Sequence, residues 1–264
     1  MTVSAYLLDV EGTLYTENGP VPGAPEAVQR LRAARVPVRY VSNTTRRPRA
    51  ALVDRLRSYG FPAEAGHVLT AVLAGADLLR HAGIRAVAPF VHPDALTDLG
   101  EFDLVGGTSG RPLPAGRPDA VVVGDLGDGW TYDLLNQAFR LVADGAVLVA
   151  LSRDRWWERG DGPALDAGPF VAALENAAGV EATLAGKPME TFWTAALASL
   201  GLAPDADRRA VAMVGDDLWT DVRGAQLAGL EGWLVKTGKF RAEAFRQSRV
   251  EPDRLLGSAA ELAP

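Results

Sequence analysis

Short apolar runs that stop at small polar residues recur along the chain. Ala5-Tyr6-Leu7-Leu8 stops at Asp9, with Gly12 close behind, which predicts a buried strand running into a loop. From Pro22 to Ala34 the apolar positions take helical spacing, with Ala27, Val28 and Leu31 on one face. Val36 to Val41 reads as a second strand ending at Ser42-Asn43-Thr44-Thr45, and a helix follows from about Arg49 to Tyr59, stopped by Gly60. Strands alternating with helices predict βαβ units and a parallel sheet.

From about Ala74 to Ala185 the texture changes. Loops rich in Gly, Pro and Asp appear, such as Gly106 to Gly110 and Gly124 to Gly129. Between them Ala120 to Val123 and Val147 to Leu151 read as strands, and Thr131 to Val142 and Pro169 to Ala178 as helices. After Gly186-Lys187-Pro188 the first texture returns. Glu190 to Leu200 is helical, Ala210 to Val214 is a strand ending in Gly215-Asp216-Asp217, Leu218 to Leu227 is a helix, and Gly232 to Val235 is a last strand. The pattern predicts an α/β fold: a Rossmann-like parallel-sheet core of residues 1–73 and 186–264, with an α/β domain of residues 74–185 inserted between them.

Composition narrows the class. With 264 residues, 48% of them hydrophobic and 23% charged, the chain can bury a full core without staples. A net charge of −6 argues against nucleic acid as a partner, because such a surface needs a basic stripe. The absence of cysteine excludes disulfides, thiolate nucleophiles and thiolate metal sites. No apolar run approaches a membrane span, so no membrane partner is expected, and the first residues lack a signal-peptide pattern, so a cytoplasmic location is expected.

The candidate chemistry lies at the strand ends. Asp9 follows the first strand, and Asp216 with Asp217 follows the strand near residue 212. In an open parallel sheet, ligands bind outside the carboxyl ends of the strands, so distant carboxylates can meet there. Carboxylates brought together repel one another, and a hard divalent cation such as Mg²⁺ neutralises them through oxygen ligands. For any one aspartate alone, a turn-forming role is the plainer explanation. The strand-end positions, the small neighbours and a matching lysine change that balance.

Asp9-Val10-Glu11-Gly12-Thr13-Leu14 resembles the first motif of the haloacid dehalogenase superfamily, Asp-x-Asp-Gly-Thr-Leu. Val41-Ser42-Asn43-Thr44 resembles its second motif, Gly186-Lys187-Pro188 its third, and Gly215-Asp216-Asp217-Leu218-Trp219-Thr220-Asp221 its fourth, all in the family order. The insert resembles the class IIA cap. Within it Arg155-Trp156-Trp157, Leu165, Gly168-Pro169-Phe170-Val171 and Ala173-Leu174-Glu175 resemble the phospholysine phosphohistidine inorganic pyrophosphate phosphatase branch and its hydrolase relatives. That branch carries a tyrosine pair in place of Trp156-Trp157 and a His-Lys pair in place of Ser152-Arg153.

The resemblance implies an Mg²⁺-dependent phosphatase acting on a small phosphorylated substrate (a phosphate ester, a phosphoramidate or pyrophosphate). Asp9 would attack phosphorus and form an aspartyl-phosphate. The side chains of Asp9 and Asp216, with the backbone carbonyl of Glu11, would hold the metal. Ser42 and Asn43 would bind the phosphoryl group, Lys187 would balance charge between nucleophile and phosphate, and Asp217 and Asp221 would hold metal waters or orient Lys187. Relatives of this class often pair through the cap, so a homodimer is expected on the same ground. A dehalogenase should lack the acidic cluster, and a phosphomutase carries a different cap.

Glu11 departs from the family pattern. The aspartate normally found there protonates the leaving oxygen and then activates water, and a glutamate adds a methylene. Displacing a catalytic group by about 1 Å can cost on the order of 100-fold. Glu11 would fold back and work, or point away and leave slow turnover of substrates with good leaving groups, or mark a weak or inactive relative that only binds a phosphorylated ligand. The branch that the chain resembles often has serine at this position, so it tolerates loss of the aspartate.

In the insert, Arg153, Arg155, Trp156 and Trp157 follow a predicted strand and are expected in a loop. An arginine beside aromatics suits an anionic or planar substrate group, while a surface arginine beside a structural tryptophan pair has the same signature. Asp125 to Gly129 lacks calcium-loop spacing, Gly106 to Gly110 lacks the Lys-Ser/Thr of a P-loop, and His67, His81 and His92 have no ligand spacing. Trp193 and Trp233 lie in apolar runs and are expected in the core.

Overall fold

A computed structural model describes residues 3–113, 116–202 and 206–264. Its packing divides the chain into two compact units: Met1–Ser42, Arg49–Leu69 and Lys187–Pro264 form one, and Asn43–Pro48 with Thr70–Gly186 form the other. The sequence put the changeover at residues 73/74 and 185/186. The units instead change at 69/70 and 186/187, and the short segment 43–48 packs with the insert.

The first unit is built on a six-stranded sheet in the order Arg254–Leu256, Glu231–Val235, Val211–Gly215, Ala5–Asp9, Val38–Ser42, Val68–Thr70. Ala5–Asp9 lies near the middle with parallel neighbours on both sides, and all of its residues are buried. Burial on both faces is why its sequence is an unbroken apolar run rather than an alternation. Tyr6, Leu8, Val28, Leu31, Leu52, Leu56 and Trp233 share one core, with Tyr6 and Trp233 edge to face at 5.6 Å. The helices Ala24–Ala33 and Arg49–Ser58 supply their apolar stripes to it.

Register brings the strand ends level. Leu8 pairs with Val214, Asp9 with Val41, and Gly215 with Leu234. Asp9, Ser42, Asp216 and the loop after Val235 therefore leave the sheet at the same carboxyl-end edge, where an open α/β sheet binds ligands.

The predicted helix Leu218 to Leu227 is not one regular helix. Leu218–Arg223 is a wide turn, and only Gly224–Leu227 is regular α-helix. The Asp217 carbonyl accepts from both Asp221 N–H and Val222 N–H, each at 3.2 Å, and the second of these bonds spans five residues. Such wide turns concentrate at functional sites because they re-aim side chains. Here the one re-aimed is Asp221.

The second unit holds a five-stranded sheet in the order Thr183–Leu184, Val147–Ala150, Ala120–Val123, Ala86–Phe90, Asp103–Leu104, with parallel pairing throughout. Helix Ala71–His81 packs on one face, and Tyr132–Ala143 and Ala167–Ala178 on the other. Trp130 lies stacked between Phe90 (6.1 Å) and Phe170 (4.7 Å), as a packing residue. Trp156 and Trp157 are not in a loop. They begin the strand Trp156–Arg159, which forms an antiparallel hairpin with Gly162–Leu165.

Candidate active site

Asp9 is the last residue of its strand and is almost fully buried. Its Oδ1 receives the Lys187 ammonium at 2.7 Å and its Oδ2 accepts from the Thr13 hydroxyl at 3.1 Å. A buried lysine is costly unless its charge is met, and Lys187, 2% exposed, is met twice. Its second partner is Asp221 Oδ1 at 2.6 Å. Burial alone would push the Lys187 pKa down, but Asp221 and then Asp9 outweigh it and hold the group above the usual lysine range. The stretch after Lys187 is pinned by the indole N–H of Trp193, which donates to the Pro188 carbonyl at 3.0 Å. Trp193 itself is fully buried, as its apolar run predicts.

Asp216 faces the same place. Oxygens of Asp9, Asp216 and Asp221 all lie within 4.8 Å of one another. Burial, followed by repulsion from Asp9 and Asp221, drives the Asp216 carboxyl far above the usual range. Burial also raises Asp221, with Asp9 adding to the effect and Lys187 opposing it. One ammonium is thus shared between two carboxylates of a trio, and the third is left uncompensated by it. The donor set is all oxygen, buried and anionic, so it fits a hard divalent cation. Backbone closeness makes room for Asp216: a Cβ on Gly12 or on Gly238 would overlap its carboxylate, and both glycines have positive φ (89° and 55°).

Asp217 is not part of the trio. Its Oδ1 accepts from Trp219 N–H at 2.9 Å and Thr220 N–H at 3.0 Å, capping the wide turn, and its Oδ2 pairs with Lys239 Nζ at 3.3 Å. Burial raises its pKa, but the Lys239 charge and the two backbone N–H groups prevail and leave it lowered. Orientation of Lys187 therefore falls to Asp221, which touches it, and not to Asp217. Ser42 ends its strand, buried at the same edge as Asp9.

Glu11 is exposed, and its carboxylate is not one of the converging acidic oxygens. Its Oε1 accepts from the hydroxyl of buried Tyr15 at 3.3 Å, across a small turn in which Gly12 N–H donates to the Tyr15 carbonyl at 2.7 Å. Burial, and next the Glu11 charge, push the Tyr15 phenol up.

The remaining expected residues lie in the second unit. Asn43 Nδ2 donates to Asp154 Oδ1 at 3.5 Å. Arg153 pairs with Glu175 and donates to the Ala182 carbonyl, tying the end of one strand to helix Ala167–Ala178. Arg155 is exposed, and its carbonyl accepts from Asp166 N–H at 3.2 Å. The Trp157 ring lies 5.3 Å beneath the guanidinium of Arg46, which also pairs with buried Asp125 at 3.4 Å. Arg46 and Trp157 line a cavity of about 360 Å³ together with Arg159, Pro163, Leu165 and Phe170.

Sequence reasoning passed over Thr13, Arg46 and Lys239. Thr13 stood inside the first motif without an assigned task. Lys239 sits in Lys236-Thr237-Gly238-Lys239, directly after a predicted strand, and the strand-end logic that found Asp9 applies to it equally.

Comparison with known proteins agrees with this geometry. Residues 6–104 match the family described as haloacid dehalogenase-like hydrolase, and residues 184–262 match a HAD-hydrolase-like family. The chain is 41% identical over 240 residues to human haloacid dehalogenase-like hydrolase domain-containing protein 2, covering 91% of this chain and 86% of that one. It is 34% identical over 265 residues to bovine phospholysine phosphohistidine inorganic pyrophosphate phosphatase, covering 98% and 92%. Its fold is similar to that of p-nitrophenyl phosphatase from Archaeoglobus fulgidus (TM-score 0.87, 28% identity, 98% of each chain). A similar likeness holds for a glycerol phosphate phosphatase from Mycobacterium tuberculosis solved in complex with calcium (TM-score 0.82, 28% identity, 98% of this chain and 74% of that one). The chain belongs to the haloacid dehalogenase-like hydrolases and is a hydrolase of the phosphatase type. Among the described residues no helix is long and apolar enough to cross a membrane.

Proposed function

We propose that the protein is an Mg²⁺-dependent phosphatase that hydrolyses small phosphate esters, phosphoramidates or pyrophosphate through an aspartyl-phosphate at Asp9. The observation that carries this is the convergence of Asp9, Asp216 and Asp221 around Lys187 in one buried spot. Asp9 and Asp216, with the Glu11 backbone carbonyl, would hold the cation. When bound, it would shield the anionic substrate from the anionic nucleophile and stabilise charge on the phosphoryl oxygens.

The chain's own residues do the rest. Lys187 and Thr13 fix the Asp9 carboxylate before substrate arrives, which removes the orientational cost from the reaction. An Asp9 oxygen forms a bond to phosphorus as the bond to the leaving oxygen breaks. Ser42 donates to the phosphoryl oxygens, and Lys187 stabilises the charge gathered there. Once its side chain leaves the Tyr15 hydroxyl, protonated Glu11 gives its proton to the leaving oxygen. Water, losing a proton to the Glu11 carboxylate, then attacks the aspartyl-phosphate, releasing phosphate and regenerating Asp9.

The phosphatase names of a relative at 34% identity and of structural neighbours support turnover over ligand binding alone. A panel of small phosphorylated compounds, tested with Mg²⁺ on the wild type, is the test. Release of inorganic phosphate from at least one class supports the reading, and silence across the panel overturns it.

A further inference from the structure

We propose that Lys239 is a positioning residue of this active site, which sets the orientation of Asp216 through its backbone and of Asp217 through its side chain. This inference rests on the function proposed above. Its backbone N–H donates to Asp216 Oδ2 at 2.6 Å, so one oxygen of that carboxylate is committed to the loop and the other is left for a ligand. Its ammonium reaches Asp217 Oδ2 at 3.3 Å, opposite the oxygen that accepts from Trp219 and Thr220. One residue thus grips two adjacent carboxylates by different groups.

The loop is built for this approach. Gly238 takes φ 55° with its Cα close to that of Gly12, and a side chain at either glycine would strike Asp216. Charge points the same way. Asp9, Asp216, Asp217 and Asp221 present four carboxylates, Lys187 and Lys239 present two ammonium groups, and one divalent cation would close the balance. Without Lys239, the cluster would hold an excess negative charge beside a carboxylate fixed only by its turn. Partners that orient metal-binding carboxylates typically matter by about 10–100-fold in affinity or activity.

The test compares wild type, Lys239→Met and Lys239→Arg in the full-length protein. Mg²⁺ affinity is measured by calorimetry without substrate, and kcat and KM with p-nitrophenyl phosphate. Lys239→Met should lose about 10-fold or more in Mg²⁺ affinity or kcat, with KM little changed. Lys239→Arg, which can still pair with Asp217, should recover most of the loss. In an Asp217→Asn background the Lys239→Met effect should shrink, because the partner is already gone. A folded Lys239→Met protein with wild-type Mg²⁺ affinity and kcat overturns the assignment, as does full additivity with Asp217→Asn. If Lys239→Met does not fold, an Arg variant that folds but recovers neither affinity nor kcat overturns it equally. Failure of the wild type itself to bind Mg²⁺ or to turn over overturns the proposed function, whereas a competent wild type with an indifferent Lys239 overturns this inference alone.

Discussion

At the scale of residues, Glu11 and Asp216 carry the two departures from a simple picture. Glu11 is tied to the Tyr15 hydroxyl rather than gathered with Asp9. Its longer side chain must leave that partner to serve as acid and base. Glu11→Asp should therefore raise kcat for p-nitrophenyl phosphate by up to ~100-fold, the scale set by a misplacement of about 1 Å. Steady-state kinetics would show it, and a lower kcat in Glu11→Asp would mean that the glutamate is already the better-placed group. Burial, and then repulsion from Asp9 and Asp221, raises the Asp216 pKa far above the usual carboxylate range. Its pKa is higher in the folded protein than in the unfolded chain. Lowering the pH through that raised value towards the ordinary carboxylate value lets the folded state take up a proton first, so stability from this group rises as pH falls across that window. Asp216→Asn should accordingly raise the melting temperature of the chelator-treated protein at neutral pH, and the advantage should shrink on acidification. Melting curves with chelator at several pH values check both signs. That Asp216 mattered was legible from its strand-end position, and that Glu11 did from its place in the first motif; that Glu11 leans on Tyr15 was not, because it depends on a local turn.

At the scale of elements, periodicity and punctuation located most strands and helices of the first unit to within a residue or two. The missed features share a cause. Trp156–Arg159 and Gly162–Leu165 form a hairpin whose sequence, with Pro163 and charged Glu158 and Arg159, shows no apolar alternation. The wide turn Leu218–Arg223 is set by paired donations to the Asp217 carbonyl, and side-chain spacing does not encode that. Arg153 looked equally suited to substrate or to surface. The structure gives it an intramolecular task, the link to Glu175 and Ala182. Arg153→Ala should lower thermal stability by about 1 kcal/mol or less, as partly exposed ion pairs do, with kcat and KM for p-nitrophenyl phosphate unchanged. A clear rise in KM would return Arg153 to substrate binding. Gly238→Ala tests the opposite kind of element. The new Cβ would collide with Asp216, so activity should fall sharply, and activity near wild type would show that the loop moves aside freely.

At the scale of the whole molecule, alternation and the change of texture were enough to foresee a parallel α/β core interrupted by an α/β insert. The changeover points and the membership of 43–48 depend on packing that no local pattern records. Asp9, Ser42 and Asp216 reach one edge because register levels their strand ends, a property of the sheet rather than of any motif. A cation bound to that edge only in the folded state must stabilise it by mass action, by about 2.7 kcal/mol at a hundred times its dissociation constant. Mg²⁺ should raise the melting temperature of the wild type and leave that of Asp216→Asn unmoved. The central claim, that Asp9 is the nucleophile of a metal-dependent phosphatase, is tested most directly by p-nitrophenyl phosphate hydrolysis with Mg²⁺ in wild type and Asp9→Asn, each with and without chelator. The account predicts turnover only in the wild type with Mg²⁺; full activity in Asp9→Asn, or activity that survives removal of the metal, would contradict it.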